Sequence, residues 1–286
     1  QGGGGMKPSP EIRRRLNAFG KLGDHELGLT ETALVLAKSE RPGIDPAIYA
    51  RHLEKLTDDV AAYAGKEADS PKRGLDMRIQ ALQQVIARRA GYGGSDDAYE
   101  DAECANLMRV IDRREGLPTL LGIIYIHVSR ALGWEIDGLD FPPRFLVRLE
   151  FAGQRRILDP FDGGKVMEPF DLRDIYKAVS GPQVEIQPRH TGAMSNRAII
   201  LRSRRNAKVL HLRSENLEGA LEVVETLLML APAEPALWRE AGILNARLDR
   251  VAEAVAALEQ YLETAGIDAS RYRTSILLQE LRGRLN

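Results

Sequence analysis

Four side chains in the middle of the chain have types and spacing suited to chemistry: Thr119, Arg144, Asp159 and Asp162. Arg144 offers a planar, permanently charged fork that matches a carboxylate or a phosphate. Asp159 and Asp162 supply carboxylates within reach of the same loop region. Thr119 follows Pro118 at what reads as the opening of a helix, where unpaired N–H groups and the helix dipole favour negative charge. Two arrangements follow. In one, Arg144 pairs with Asp159 or Asp162 as a structural ion pair. In the other, Arg144 and the helix start together grip a small anion. The first is favoured. Cys104 is the single cysteine. A reactive thiol needs an electropositive, partly exposed niche, and an inert buried thiol is the simpler expectation here. The five histidines, His25, His52, His127, His190 and His211, show no pair three or four residues apart, so no metal site is expected. His127 falls inside an apolar run and reads as a core histidine with a satisfied ring. The segment Gly91-Tyr92-Gly93-Gly94 has no strand before it and no Lys-Ser/Thr after it, which excludes a phosphate loop. No cofactor is expected.

These residues need a helix and a hairpin to position them. Leu117 to Val128 is almost wholly apolar, the mark of a helix buried on every side. Pro118 suits its first position, where the missing N–H would be unpaired anyway. Leu132-Gly133 ends it, because glycine takes the left-handed C-terminal conformation cheaply. Phe145 to Phe151 alternates with a period near two and reads as a strand. Ala152-Gly153-Gln154 can turn the chain, and Arg155 to Asp159 can return it. A turn centred on Gly153 sets Val147 opposite Asp159. It also puts Arg144 at the same end of the hairpin as Asp159 and Asp162.

Helices flank this centre. Leu27, Ala33, Leu34 and Ala37 recur at helical spacing until Arg41-Pro42-Gly43 breaks the run. Asp45-Pro46 opens a second helix carrying Ile48, Tyr49, Leu53, Leu56 and Val60 on one face. A third spans roughly 74–90, and a short one from Asn106 leads into Gly116. In the tail, Ala220 and Ala254 stand 34 residues apart, as do Leu221 and Val255, Leu227 and Tyr261, and Leu228 and Leu262. That is the tetratricopeptide period. About two units are expected, with helices near 197–212, 216–230, 235–247 and 251–264, and a capping helix near 269–284.

The order Gly116-Leu117-Pro118-Thr119-Leu120, then Phe141-Pro142-Pro143-Arg144-Phe145-Leu146-Val147-Arg148, then Leu158-Asp159-Pro160-Phe161-Asp162 resembles the bacterial SirB-type family. The resemblance implies a transglutaminase-like core followed by a tetratricopeptide-type tail. Enzymes with that core use Cys, His and Asp: a thiol at the first turn of the buried helix, a histidine base on a strand, and an acid on the next strand to orient it. By the resemblance, the nucleophile slot falls at Pro118 or Thr119 and the histidine slot at Arg144, with only Asp159 matching. Proline is no nucleophile, and arginine stays protonated and cannot act as a base.

The expected fold class is α+β: a helical N-terminal part and a buried central helix on a small antiparallel sheet, then an all-α tail. Residues 1–5 read as an expression scar, 6–180 as the transglutaminase-like domain, 181–196 as a linker and 197–286 as the helical repeat domain. Charges nearly balance, at net −1, so no bulk field favours nucleic acid or membrane. The basic run Arg202 to Lys208 reads as a solvated helix face. There is no apolar run of spanning length and no signal-peptide pattern, which points to a soluble cytoplasmic protein. The function expected is a non-catalytic interaction or regulatory protein whose tail, 197–286, binds a protein partner. The alternatives are a cysteine-type hydrolase or acyltransferase, with Cys104 as the thiol, and an anion sensor at Arg144.

Overall fold

The structure, a computed structural model, describes residues 7–286; the segment 1–5 lies outside the described residues. In chain order the helices are α1 (Pro10–Gly20), α2 (Leu29–Glu40), α3 (Ala47–Ala64), α4 (Gly74–Leu82), α5 (Leu107–Arg113), α6 (Pro118–Ala131), α7 (Pro169–Ser180) and α8 (Asn196–Ser203). The tail adds α9 (Arg205–Arg213), α10 (Leu217–Leu230), α11 (Pro235–Arg247), α12 (Val251–Thr264) and α13 (Ala269–Leu285). Strands β1 (Glu135–Leu139), β2 (Leu146–Phe151), β3 (Gln154–Asp159) and β4 (Lys165–Met167) form one antiparallel sheet in the order β1-β2-β3-β4. The fold is therefore α+β with an all-helical tail. Two compact units are present: Leu27–Ser203, and residues 7–26 with Arg204–Asn286.

The first unit is built around α6. Pro118 occupies its first turn, and Leu117 holds the extended conformation that residues before proline prefer. Gly133 takes φ 74° just past its end. Every residue from Leu117 to Val128 is buried except His127. His127 is half-buried, and its Nδ1 lies 2.7 Å from the Thr30 hydroxyl, so the ring is satisfied as expected. The helix packs on α2, α3, α5, β1 and β2. It lies close on the sheet because Phe145 is wedged between two glycines. A Cβ on Gly122 would meet the Phe145 ring at 2.3 Å, and one on Gly138 would meet it at 2.6 Å.

The β2–β3 turn corrects one expectation. Ala152 and Gly153 both take left-handed φ, 52° and 78°, as a two-residue type I′ hairpin requires. The turn therefore centres on the Ala152–Gly153 bond and not on Gly153 itself. Phe151 pairs with Gln154, and Val147 pairs with Leu158, one residue short of Asp159. Asp159 instead faces Lys165 across β4. Strands β1 and β4 and helix α7 escape a periodicity reading. β1 carries Glu135, Asp137 and Gly138, which disfavour strands in isolation, and β4 is too short to show a period. α7 did carry a local signal: Pro169 at its start and a capping box between Glu168 and Asp171. The helix expected over 74–90 is α-helical only to Leu82 and then π-wound over Gln83–Arg89.

In the second unit, α1 buries Ile12, Leu16 and Phe19 and packs on α10. Gly20 makes that approach possible, since a Cβ there would sit 2.0 Å from the Met229 carbonyl oxygen. The helices α10, α11 and α12 stack in sequence, with α13 packed on α12 at the end. The helix expected over 197–212 divides at Arg204. Its first half, α8, packs on α2 and α6. The compact units thus do not follow a division at 180. Residues 181–196 lie inside the first unit, where Met194 N–H donates to Gly138 O at 2.9 Å and Ala193 bridges Leu139.

Candidate functional site

At the end of β3 the sheet delivers Asp159 into the interior, 1% exposed. Arg144, from the turn before β2, donates to its carboxylate at 2.6 Å. The other carboxylate oxygen accepts the Phe161 N–H at 3.1 Å, capping the single helical turn Pro160–Asp162 that packs against α6. The Arg144 guanidinium also lies over the Phe161 ring, 4.7 Å from its centroid, where the ring quadrupole attracts it. Tyr99 closes the cluster with its ring 5.7 Å from Phe161; burial raises its phenol, and Arg144 opposes that rise. Burial raises the Asp159 carboxyl above its ordinary range, and Arg144 opposes that shift without cancelling it. A charge removed from water needs such a partner, because an isolated buried carboxylate is strongly disfavoured.

The remaining expected site residues are less closely joined. Thr119 is buried in the first turn of α6 and makes no hydrogen bond to Arg144 or Asp159 among the described residues. Pro118 is buried beside it. Asp162 is exposed and lines a neighbouring cleft. Sequence reasoning gave no role to Tyr99 or Phe161. Phe161 had a signal in the Asp-Pro-Phe run, whereas Tyr99 sits in an acidic loop with no period to mark it.

Cys104 lies beside the start of α6 but is sealed from solvent. It is 1% exposed in a single helical turn before α5, and its carbonyl accepts the Leu117 N–H at 3.1 Å. Burial, reinforced by Asp101 and Glu115, pushes its thiol up to about 11. Four of the five histidines have partners elsewhere: His52 with Tyr92, His127 with Thr30, His190 with the Gln187 backbone and His211 with Asn216. Iodoacetamide at neutral pH should therefore label native Cys104 at least about a hundred-fold more slowly than a free thiol, since thiolate is the reacting form. Labelling that is fast in the native state would overturn this assignment.

The basic run is largely occupied within the chain. Arg202 pairs with Asp140 and donates to Phe141 O at 2.7 Å, and Lys208 reaches Glu240 at 2.5 Å. No group of three metal-ligating side chains is found among the described residues.

A buried helix laid on an antiparallel sheet, with an acid at the end of the neighbouring strand, is the framework of one class of protein. The chain belongs to the Transglutaminase-like superfamily, whose family model matches residues 48–205, more than half of the chain. A tetratricopeptide repeat model matches residues 207–279. The chain is similar to the UPF0162 protein of Xylella fastidiosa strain Temecula1, 28% identical over 250 residues, which cover 86% of this chain and 87% of the relative. It is likewise similar to the UPF0162 protein of Vibrio cholerae, 28% identical over 239 residues, covering 82% of this chain and 85% of the relative. The UPF0162 protein of Pseudomonas aeruginosa is 28% identical over 221 residues, covering 77% of this chain and 78% of the relative.

Proposed function

We propose that this chain is a SirB-type, non-catalytic interaction or regulatory protein of the cytoplasm, built on a degenerate transglutaminase-like core, whose tail binds a protein partner. One observation carries the reading: the guanidinium of Arg144 closes on Asp159 where thiol chemistry would need an imidazole. Asp159 then has an arginine to neutralise it and no base to orient. The proline and threonine that open α6 supply no thiolate, and Cys104, next to them at the helix start, is buried with its thiol pushed up to about 11. The cysteine-type hydrolase reading loses support on each of these points. The anion-sensor reading at Arg144 loses support as well, because Asp159 and Phe161 already occupy that guanidinium. The repeat helices α10 to α13 support the partner-binding part, since repeat arrays commonly present extended concave surfaces. No helix among the described residues is long and apolar enough to cross a membrane.

The test is affinity capture with the full chain and with the Leu27–Ser203 unit alone. Partners held by the tail should be lost from the shorter piece. A partner retained in full by Leu27–Ser203 would refute a tail-borne interface.

A further inference from the structure

The π-wound segment Gln83–Arg89 lines a cleft that borders the site above at Phe161. Winding with hydrogen bonds to the fifth residue along brings Gln83, Ala87 and Arg88 onto one face, whereas α-winding would carry Arg88 well round the helix. That face opens on a cavity of about 510 Å³, whose remaining lining is the segment 92–94 and, as a second wall, Phe161, Asp162, Gly163 and Lys165. This volume is in the usual range for a small-molecule site. The second wall is fixed in place. Gly163 and Gly164 both take left-handed φ, and the Gln83 side-chain amide donates to Gly164 O at 2.8 Å.

The charges on the two walls are the informative feature. Arg88 and Asp162 are both exposed, and neither is in an ion pair within 4.0 Å among the described residues. Lys165, the second cation, is only loosely engaged, 3.9 Å from Asp171. A cation and a carboxylate that share a cleft without pairing present complementary ends to a ligand that carries both signs. We infer that this cleft binds a small zwitterion, a free α-amino acid or a short peptide. Its carboxylate would rest on Arg88 and Lys165, and its ammonium on Asp162. Arginine is suited to the first task by its forked donors. This inference does not depend on the scaffold reading of the Arg144 site, because neither Arg144 nor Asp159 nor Thr119 takes part in it.

Isothermal titration calorimetry on the full chain tests it. The probes are the twenty L-amino acids one at a time and glycylglycine, with acetate, inorganic phosphate and methylamine as single-charge controls. At least one amino acid or the dipeptide should bind saturably at millimolar concentration or below. Binding by amino acids without glycylglycine marks a free amino acid as the ligand, and the converse marks a peptide. Arg88→Ala and Asp162→Asn should each weaken the bound probe about ten-fold or more, the scale of one hydrogen bond to a charged group. Both side chains are exposed, so both variants should keep the parent's thermal midpoint; Arg88→Gln is the second variant if Arg88→Ala does not. The inference fails if no zwitterion binds at millimolar concentration, or if neither substitution weakens binding. It also fails if acetate or phosphate binds as tightly as the amino acids and Asp162→Asn has no effect, which would make the cleft a plain anion site.

Discussion

Arg144→Met should lower stability by about 3–5 kcal/mol at neutral pH, the usual cost of breaking a buried ion pair from one side. The loss falls on Asp159. Its carboxylate is 1% exposed, and without Arg144 it keeps only the Phe161 N–H among its recorded partners. The reverse substitution is milder. Asp159→Asn should cost about 1 kcal/mol, because an amide fills the same space and Arg144, its side chain 26% exposed, can turn toward water. The pH dependence distinguishes the two. Burial already raises Asp159 in the parent, and removing the guanidinium raises it further. A carboxyl with a raised folded-state pKa binds protons more tightly when folded. Its contribution to stability is full below the unfolded value of about 4 and is lost as pH rises through the folded value. The Arg144→Met deficit should therefore shrink as pH falls from 7 toward the ordinary carboxylate range. Urea unfolding at both ends of that range measures it. Equal costs for the two variants, or an Arg144→Met deficit that ignores pH, would show that the pair does not neutralise a buried charge.

Phe145→Ala should cost about 3–5 kcal/mol, the range for deleting a buried phenylalanine. The ring is fully buried between Gly122 of α6 and Gly138 of β1. Neither glycine can shift a side chain into the space, so the cavity persists. The complementary change is Gly122→Ala. Its methyl would stand 2.3 Å from the Phe145 ring, and overpacking of this kind costs about 1–3 kcal/mol against a helix-propensity gain of about 1 kcal/mol. In the Phe145→Ala background the same methyl enters vacated space, so Gly122→Ala should become neutral or stabilising. A double-mutant cycle by thermal or urea unfolding should show coupling of at least about 1 kcal/mol. Additive effects would mean that the helix and sheet are not spaced by this ring.

Much of the helical architecture was legible because its signals are local. Pro118 and Gly133 mark the two ends of α6, and the ends found in the structure agree. The 34-residue period placed α10, α11 and α12 to within a residue, since a repeat writes its packing into its spacing. The helix expected over 197–212 failed at Arg204, because α8 is held by packing on α2 and α6, contacts remote in sequence. The hairpin register failed by one residue for a different reason. Counting from Gly153 assumed one central residue, and Ala152 also takes left-handed φ, which an alanine seldom announces.

The sequence by itself determined which groups stand at the α6 and hairpin positions, because residue type is independent of folding: a proline, a threonine, an arginine and an aspartate, with no histidine among them. It also paired Arg144 with an acid, since both lie near one end of a two-stranded turn. Only the tertiary structure decided between Asp159 and Asp162. The helical turn after β3 carries the first inward against α6 and leaves the second on a cleft facing Arg88. It alone brought Tyr99 and Phe161 to the guanidinium and sealed Cys104 from solvent. Burial and long-range contact are properties of how the elements pack, and no local pattern of residues encodes them.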